Sequence, residues 1–121
     1  MKYPSIGMKR AFDKMNEYNL IYTRYNENHT LEHRRSILDG LETWEYRHYG
    51  TWVGSVRIDK IRNNKVVVLS NRGWSSTDRD NFNGLLILLG INSVRVVKRD
   101  CSLLFKQNGK ILDTKVVTIY D

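Results

Sequence analysis

The chain reads as an α+β domain, with two N-terminal helices and then antiparallel strands on both sides of one central helix, in the order ααβββαβββ. Three observations predict it. Apolar residues recur at three- and four-residue steps in the first third of the chain, the pattern turns to alternation with β-branched and aromatic residues after Glu42, and one further helical stripe interrupts the strands after Ser75. With 121 residues there is room for one core, so residues 1–121 are expected to form a single domain, residues 1–42 helical and residues 43–121 sheet plus helix.

The first helix is predicted over Ser5 to about Leu20, where Met8, Ala11, Phe12, Met15 and Tyr18 form one apolar stripe and Ser5 supplies a cap. A polar linker, Thr23 to His29, leads to a second helix expected over Thr30 to Leu41, with Leu31, Ile37, Leu38 and Leu41 inward and Gly40 near its end. Thr43 to His48 and Thr51 to Ile61 then read as a hairpin about Tyr49-Gly50, with Trp52, Val56 and Ile58 on one face and Arg57 and Asp59 on the other. Asn63-Asn64 marks a turn. The apolar run Val66 to Leu69 suggests a central strand covered on both faces, within Lys65 to Ser70.

The strongest helical pattern is Ser75 to Leu89. Ser76 or Thr77 is placed to cap it, Asp78 and Asp80 suit its positive end, Phe82, Leu85, Leu86 and Leu89 make the buried stripe, and Gly90 ends it. Strands follow at Ser93 to Lys98, Ser102 to Lys106 and within Ile111 to Tyr120, with a hairpin turn at Asn108-Gly109.

The formal net charge is +7, and it is unevenly placed: residues 1–50 carry 8 Lys/Arg against 7 Asp/Glu, and residues 51–121 carry 12 against 6. A field of this sign concentrates polyanions, which points to nucleic acid, or to an acidic protein surface, as partner. No apolar stretch is long enough for a membrane span and the N-terminus has no apolar signal core, so a cytoplasmic protein without a membrane partner is expected. The single cysteine, Cys101, offers neither an internal disulfide nor a CxxC pair, fits a reducing compartment, and is expected as a half-buried strand residue.

His29-Thr30-Leu31-Glu32-His33 matches H-x-x-E-H, the zinc arrangement of inverted zinc peptidases, but no Glu follows Glu45 to complete such a site, and the match reads as chance. Asp59, Asp78, Asp80 and Asp100 have no spacing that compels a metal centre. No nucleophile turn or phosphate-cradling glycine loop is present, so no catalytic residue, metal or cofactor is assigned and a non-enzyme is expected.

Two basic groups remain as candidate binding sites. Arg72, Trp74 and Arg79 flank the entry to the central helix, where backbone N–H groups face a ligand at the positive end of the dipole and an indole offers a stacking surface. Arg95, Lys98 and Arg99 lie near the end of one strand, with Arg95 and Arg99 on one face, and Arg57 lies on a strand expected to share their sheet. Such a face follows a phosphate backbone without reading its sequence.

The run Gly73-Trp74-Ser75-Ser76-Thr77-Asp78-Arg79, followed by Asn83, resembles the G-W-x-[ST]-x-T-x-x-R-x-N signature of small uncharacterised phage and prophage proteins. Arg47-His48-Tyr49-Gly50-Thr51-Trp52 is similar to the strand that precedes it, so the resemblance spans about Trp44 to Leu89; Arg79 precedes Asn83 by four positions where the signature has two. The resemblance implies an accessory protein of a mobile element acting in the bacterial cytoplasm. Two functions fit that provenance: a nucleic-acid binder, and an inhibitor that binds a host defence effector such as a CRISPR nuclease.

Overall fold

The computed structural model describes residues 5–26, 28–71 and 75–120. The α+β class holds, with two described helices and antiparallel strand pairing throughout. Helix α1 spans Ile6–Glu17 and α2 spans Ser76–Leu88. The strands are β1 (Tyr22–Tyr25), β2 (His29–Ser36), β3 (Leu41–His48), β4 (Thr51–Asp59), β5 (Asn64–Leu69), β6 (Val94–Arg99), β7 (Ser102–Gln107), β8 (Lys110–Ile111) and β9 (Val116–Tyr120).

The order departs from ααβββαβββ at the second position: the helix expected over Thr30 to Leu41 is the strand β2 and its turn. Its residues alternate, with His29, Leu31 and His33 buried and Thr30, Glu32 and Arg34 between them facing the other side. The linker before it also contributes a strand, β1, paired to β2 with Thr23 opposite Leu31. Strands β1 to β5 form a meander that β9 joins beside β5, giving the order β1-β2-β3-β4-β5-β9; β6, β7 and β8 form a separate three-stranded sheet. Helix α2 and that small sheet are thus inserted between two neighbouring strands of the large one.

One face of the large sheet is covered. Trp44, Tyr46, Val56, Val67 and Leu69 are buried there with Met8, Ala11 and Met15 of α1 and Phe82, Leu85 and Leu86 of α2. Phe12 stacks on Trp44 with ring centroids 4.7 Å apart. Burying side chains of this size is worth about 1.5–3 kcal/mol each, which is why the helices lie on this face. At Gly54 α2 comes close to the sheet: a Cβ there would stand 2.7 Å from the Phe82 ring. The small sheet adds Val94, Val96, Leu103 and Phe105 to the same core.

Helix α1 starts at the cap the sequence marks, with Ser5 Oγ accepting from the Met8 N–H at 3.1 Å. For α2 the cap is Ser75, one residue before the expected pair. Ser75 Oγ accepts from the Asp78 N–H at 3.0 Å and donates to Asp78 Oδ2 at 2.8 Å, a reciprocal closure of the first turn that neither Ser76 nor Thr77 is placed to make.

Three further expectations are corrected. A bulge at Tyr46/Arg47 pairs Tyr46 with Gly54 and Arg47 with Trp52, so Trp52 lies across from Arg47 rather than on the face of Val56 and Ile58. The run Val66 to Leu69 is an interior strand covered on one face only, with Val67 and Leu69 buried and Val66 and Val68 partly exposed. Cys101 is exposed in the turn between β6 and β7. No described helix is long and apolar enough to cross a membrane.

Candidate nucleic-acid interface

On the opposite face of the six-stranded sheet, pairing places the side chains in rows across the strands. One row runs Arg24, Thr30, Arg47 and Trp52; the next runs Tyr22, Glu32, Glu45, Ser55, Val68 and Val116; the third runs Arg34, Thr43, Arg57, Val66 and Thr118. No residue of these three rows is buried. Within a row the arginines stand two strands apart, about 10 Å. From the first row to the third is four residues along β3, about 13 Å.

The two glutamates of the middle row are each engaged by a neighbouring arginine. Arg34 Nε donates to Glu32 Oε1, and Arg47 Nη2 donates to Glu45 Oε2 at 3.1 Å. Such exposed pairs are worth little and exchange readily for other anions. Arg24 and Arg57 are exposed and have no carboxylate partner among the described residues. The face therefore combines four arginines against two glutamates, hydroxyl donors from Thr30, Thr43 and Ser55, and aromatic surface from Tyr22 and Trp52.

The expected basic groups are divided differently. Arg57 belongs to the large sheet, whereas Arg95, Lys98 and Arg99 lie on β6 of the small one, so they share no sheet. Alternation does put Arg95 and Arg99 on one side of β6, opposite Lys106 and Ser102, with exposed Lys98 on the other. Arg95 is turned to structural use: its guanidinium donates to the carbonyls of Ile91 and Val94 and to Asn92 Oδ1, fastening the segment that leaves α2. Burial holds its pKa below the usual guanidinium value. Arg79 is half-buried and donates to Asp80 Oδ1 at 3.0 Å. Arg72 and Trp74 lie outside the described residues.

The N-terminus of α2, expected as a phosphate contact, is filled by the protein's own carboxylate. Asp78 is fully buried; besides Ser75, its Oδ1 accepts from His48 Nδ1 at 2.7 Å and from the Tyr46 hydroxyl at 3.4 Å. The Tyr46 hydroxyl is also 2.7 Å from His29 Nδ1, and His29 stacks on His48 at 4.2 Å. One turn along, Asn81 Oδ1 accepts from Tyr25 at 2.6 Å and from Ser5 at 2.9 Å, which ties both helices to β1. Burial, with Asp78 close by, raises the Tyr25 hydroxyl pKa, and burial raises that of Tyr46 as well, with Tyr25 and Asp78 adding to it. This network anchors the fold. Asn83 does the same for β6, with its side-chain amide pairing both the N–H and the carbonyl of Val96, at 2.7 and 2.9 Å.

The histidines of the H-x-x-E-H run do not act together. They lie four residues apart on a strand, about 13 Å, and each has its own partner: Tyr46 for His29, and Glu42 Oε1 at 2.6 Å for His33. His33 also stacks on Trp44 with centroids 3.7 Å apart. Among the described residues no three His, Cys, Asp or Glu side chains are grouped to hold a metal.

Sequence reasoning misses Arg24, Arg34 and Arg47. A signal exists for Arg34, which alternates with His29, Leu31 and His33 of β2, but the leucines and isoleucine of the same segment also fit a helical period. Comparison with protein-family models, curated proteins and solved structures found no match to this chain.

Proposed function

We propose that the protein is a non-catalytic nucleic-acid-binding accessory protein of phage type, which holds phosphates on the open face of its large sheet. The observation that carries this reading is the pair of arginine rows, Arg24 with Arg47 and Arg34 with Arg57, on a face that neither helix covers. The spacing matches a contact with several phosphates at once, and hydroxyls between the arginines add donors that bind phosphate without reading bases. The overall charge of +7 supports it by steering polyanions towards the chain. The phage-type assignment rests on the Gly73 to Asn83 signature.

Binding of purified protein to labelled DNA and RNA across a salt series tests the reading. Four arginines on four phosphates give a slope of log affinity on log salt of roughly −3 to −4 for duplex DNA. Absence of binding at low salt would remove this function and leave inhibition of a host effector as the reading to pursue.

A further inference from the structure

We propose that Ile37 and Leu38, at the tip of the β2–β3 hairpin, form an apolar wedge that inserts between stacked base pairs, so that the polyanion taken by the arginine face is a DNA duplex that the protein bends. This rests on the nucleic-acid reading above and names its ligand. Ile37 is 96% exposed and Leu38 94% exposed. Two adjacent aliphatic side chains left this far in water cost burial energy that the fold does not recover.

The tip is held in place rather than loose. Ser36 Oγ donates to Asp39 Oδ2 at 3.0 Å across the turn, and Gly40, at φ +64°, lets Ile61 of the adjacent β4–β5 turn lie against its backbone. The Lys60 N–H donates to the Gly40 carbonyl at 3.0 Å, so the two hairpin tips stand side by side. Open clefts border the tip, one lined by Arg34 and Arg35 with Ile21 and Ile37, the other by Arg57 and Arg62 with Leu38, Ile61, Asp39 and Asp59, where Arg62 lies 3.9 Å from the Asp59 carboxylate. Four arginines thus stand beside the apolar tip, Arg34 and Arg35 in a cleft lined by no carboxylate, and cations so placed hold phosphates while a wedge unstacks neighbouring base pairs.

The position of the other cations selects a duplex over a flat anionic membrane. Arg47 lies six residues of β3 back from Leu41, about 20 Å, beyond the reach of a planar surface that touches the tip. A duplex bent about the wedge presents phosphates along that whole path. A second copy of the chain is opposed by charge, since each carries +7.

The test uses the full chain, a duplex of about 30 base pairs carrying the fluorescent base aminopurine, and the same duplex labelled at both ends for energy transfer. The wild-type protein is expected to raise aminopurine fluorescence by unstacking it and to bring the ends closer. Ile37→Ser/Leu38→Ser, at two solvent-facing positions, is expected to bind with the wild-type salt dependence and to lose both signals. Wild-type binding with neither signal would overturn the wedge and leave the arginine face standing. No binding to any duplex would overturn the wedge; single-stranded DNA or RNA bound in the same buffer would leave the arginine face standing, and no binding to those either would overturn both. Wild-type partition onto phosphatidylglycerol vesicles at a salt concentration where duplex is not bound, lost in the double variant, would overturn the wedge in favour of a bilayer.

Discussion

Nδ1 of His48 lies 2.7 Å from Oδ1 of Asp78, across 30 residues of sequence, and this contact fixes the end of β3 to the first turn of α2. The carboxylate has no solvent exposure, and the His48 side chain is 16% exposed. Asp78 also closes the Ser75 cap and receives the Tyr46 hydroxyl, so one buried carboxylate is satisfied by three groups, two from β3 and one from the α2 cap. Asp78→Ala is expected to lower the unfolding free energy by about 2–4 kcal/mol, because it leaves those donors unsatisfied and removes the cap. Urea unfolding measures this; a loss below about 1 kcal/mol, the worth of a cap alone, would contradict the anchoring role.

Stability is expected to fall as pH drops below the ordinary imidazole value of 6.5. Burial, and then the neighbouring His48, holds the His29 pKa below that value; burial does the same for His33 against the opposing pull of Glu42. The unfolded chain takes up these protons at higher pH than the folded chain does, so the stability is full above 6.5 and is lost on going down through it, by at most about 1.4 kcal/mol per pH unit for each imidazole. Most carboxylates titrate lower, so urea unfolding at about pH 7.5 and about pH 5.5 isolates the effect. His29→Gln should reduce the difference, and equal stability at the two pH values would contradict it.

Gly54→Ala is expected to cost about 1–3 kcal/mol, since the added methyl meets the Phe82 ring within 2.8 Å and the Val68 carbonyl at 2.8 Å. Phe82→Leu in the same chain should recover some of that loss by opening space, whereas alone it should destabilise. Thermal unfolding of the two single variants and the double variant checks the coupling. Simple additivity would show that Phe82 does not set the requirement for glycine.

Local signals reveal α1 and α2 and the hairpin turns at Tyr49-Gly50 and Asn108-Gly109, because a cap, a stripe or a pair of left-handed residues is written within a few positions; these turn residues have φ between 52° and 79°. Residues 29–41 mislead because Leu31, Ile37, Leu38 and Leu41 fall at helical steps, while the alternation that marks the strand is carried by histidines, which are weak evidence of an inward face. The same helical reading assigns Ile37 and Leu38 to a core that they do not join. The bulge at Tyr46/Arg47 has no local mark, and it moves Trp52 to the other face. Asp78 is legible as a helix-end residue but not as a buried one, since its partners lie 30 and 32 residues away. Arg57 is legible as a candidate, but its companions are not on β6, because sheet membership depends on where α2 returns the chain.

Two double variants compared in duplex binding across a salt series locate the phosphate contacts: Arg34→Ala/Arg57→Ala on the large sheet and Lys98→Ala/Arg99→Ala on the small one. The first pair is expected to reduce the salt slope by about 2 and to weaken binding at every sequence alike, with the second pair close to wild type. A slope unchanged by the first pair and reduced by the second would contradict the proposed function, moving the phosphate contacts from the open face of the six-stranded sheet to β6.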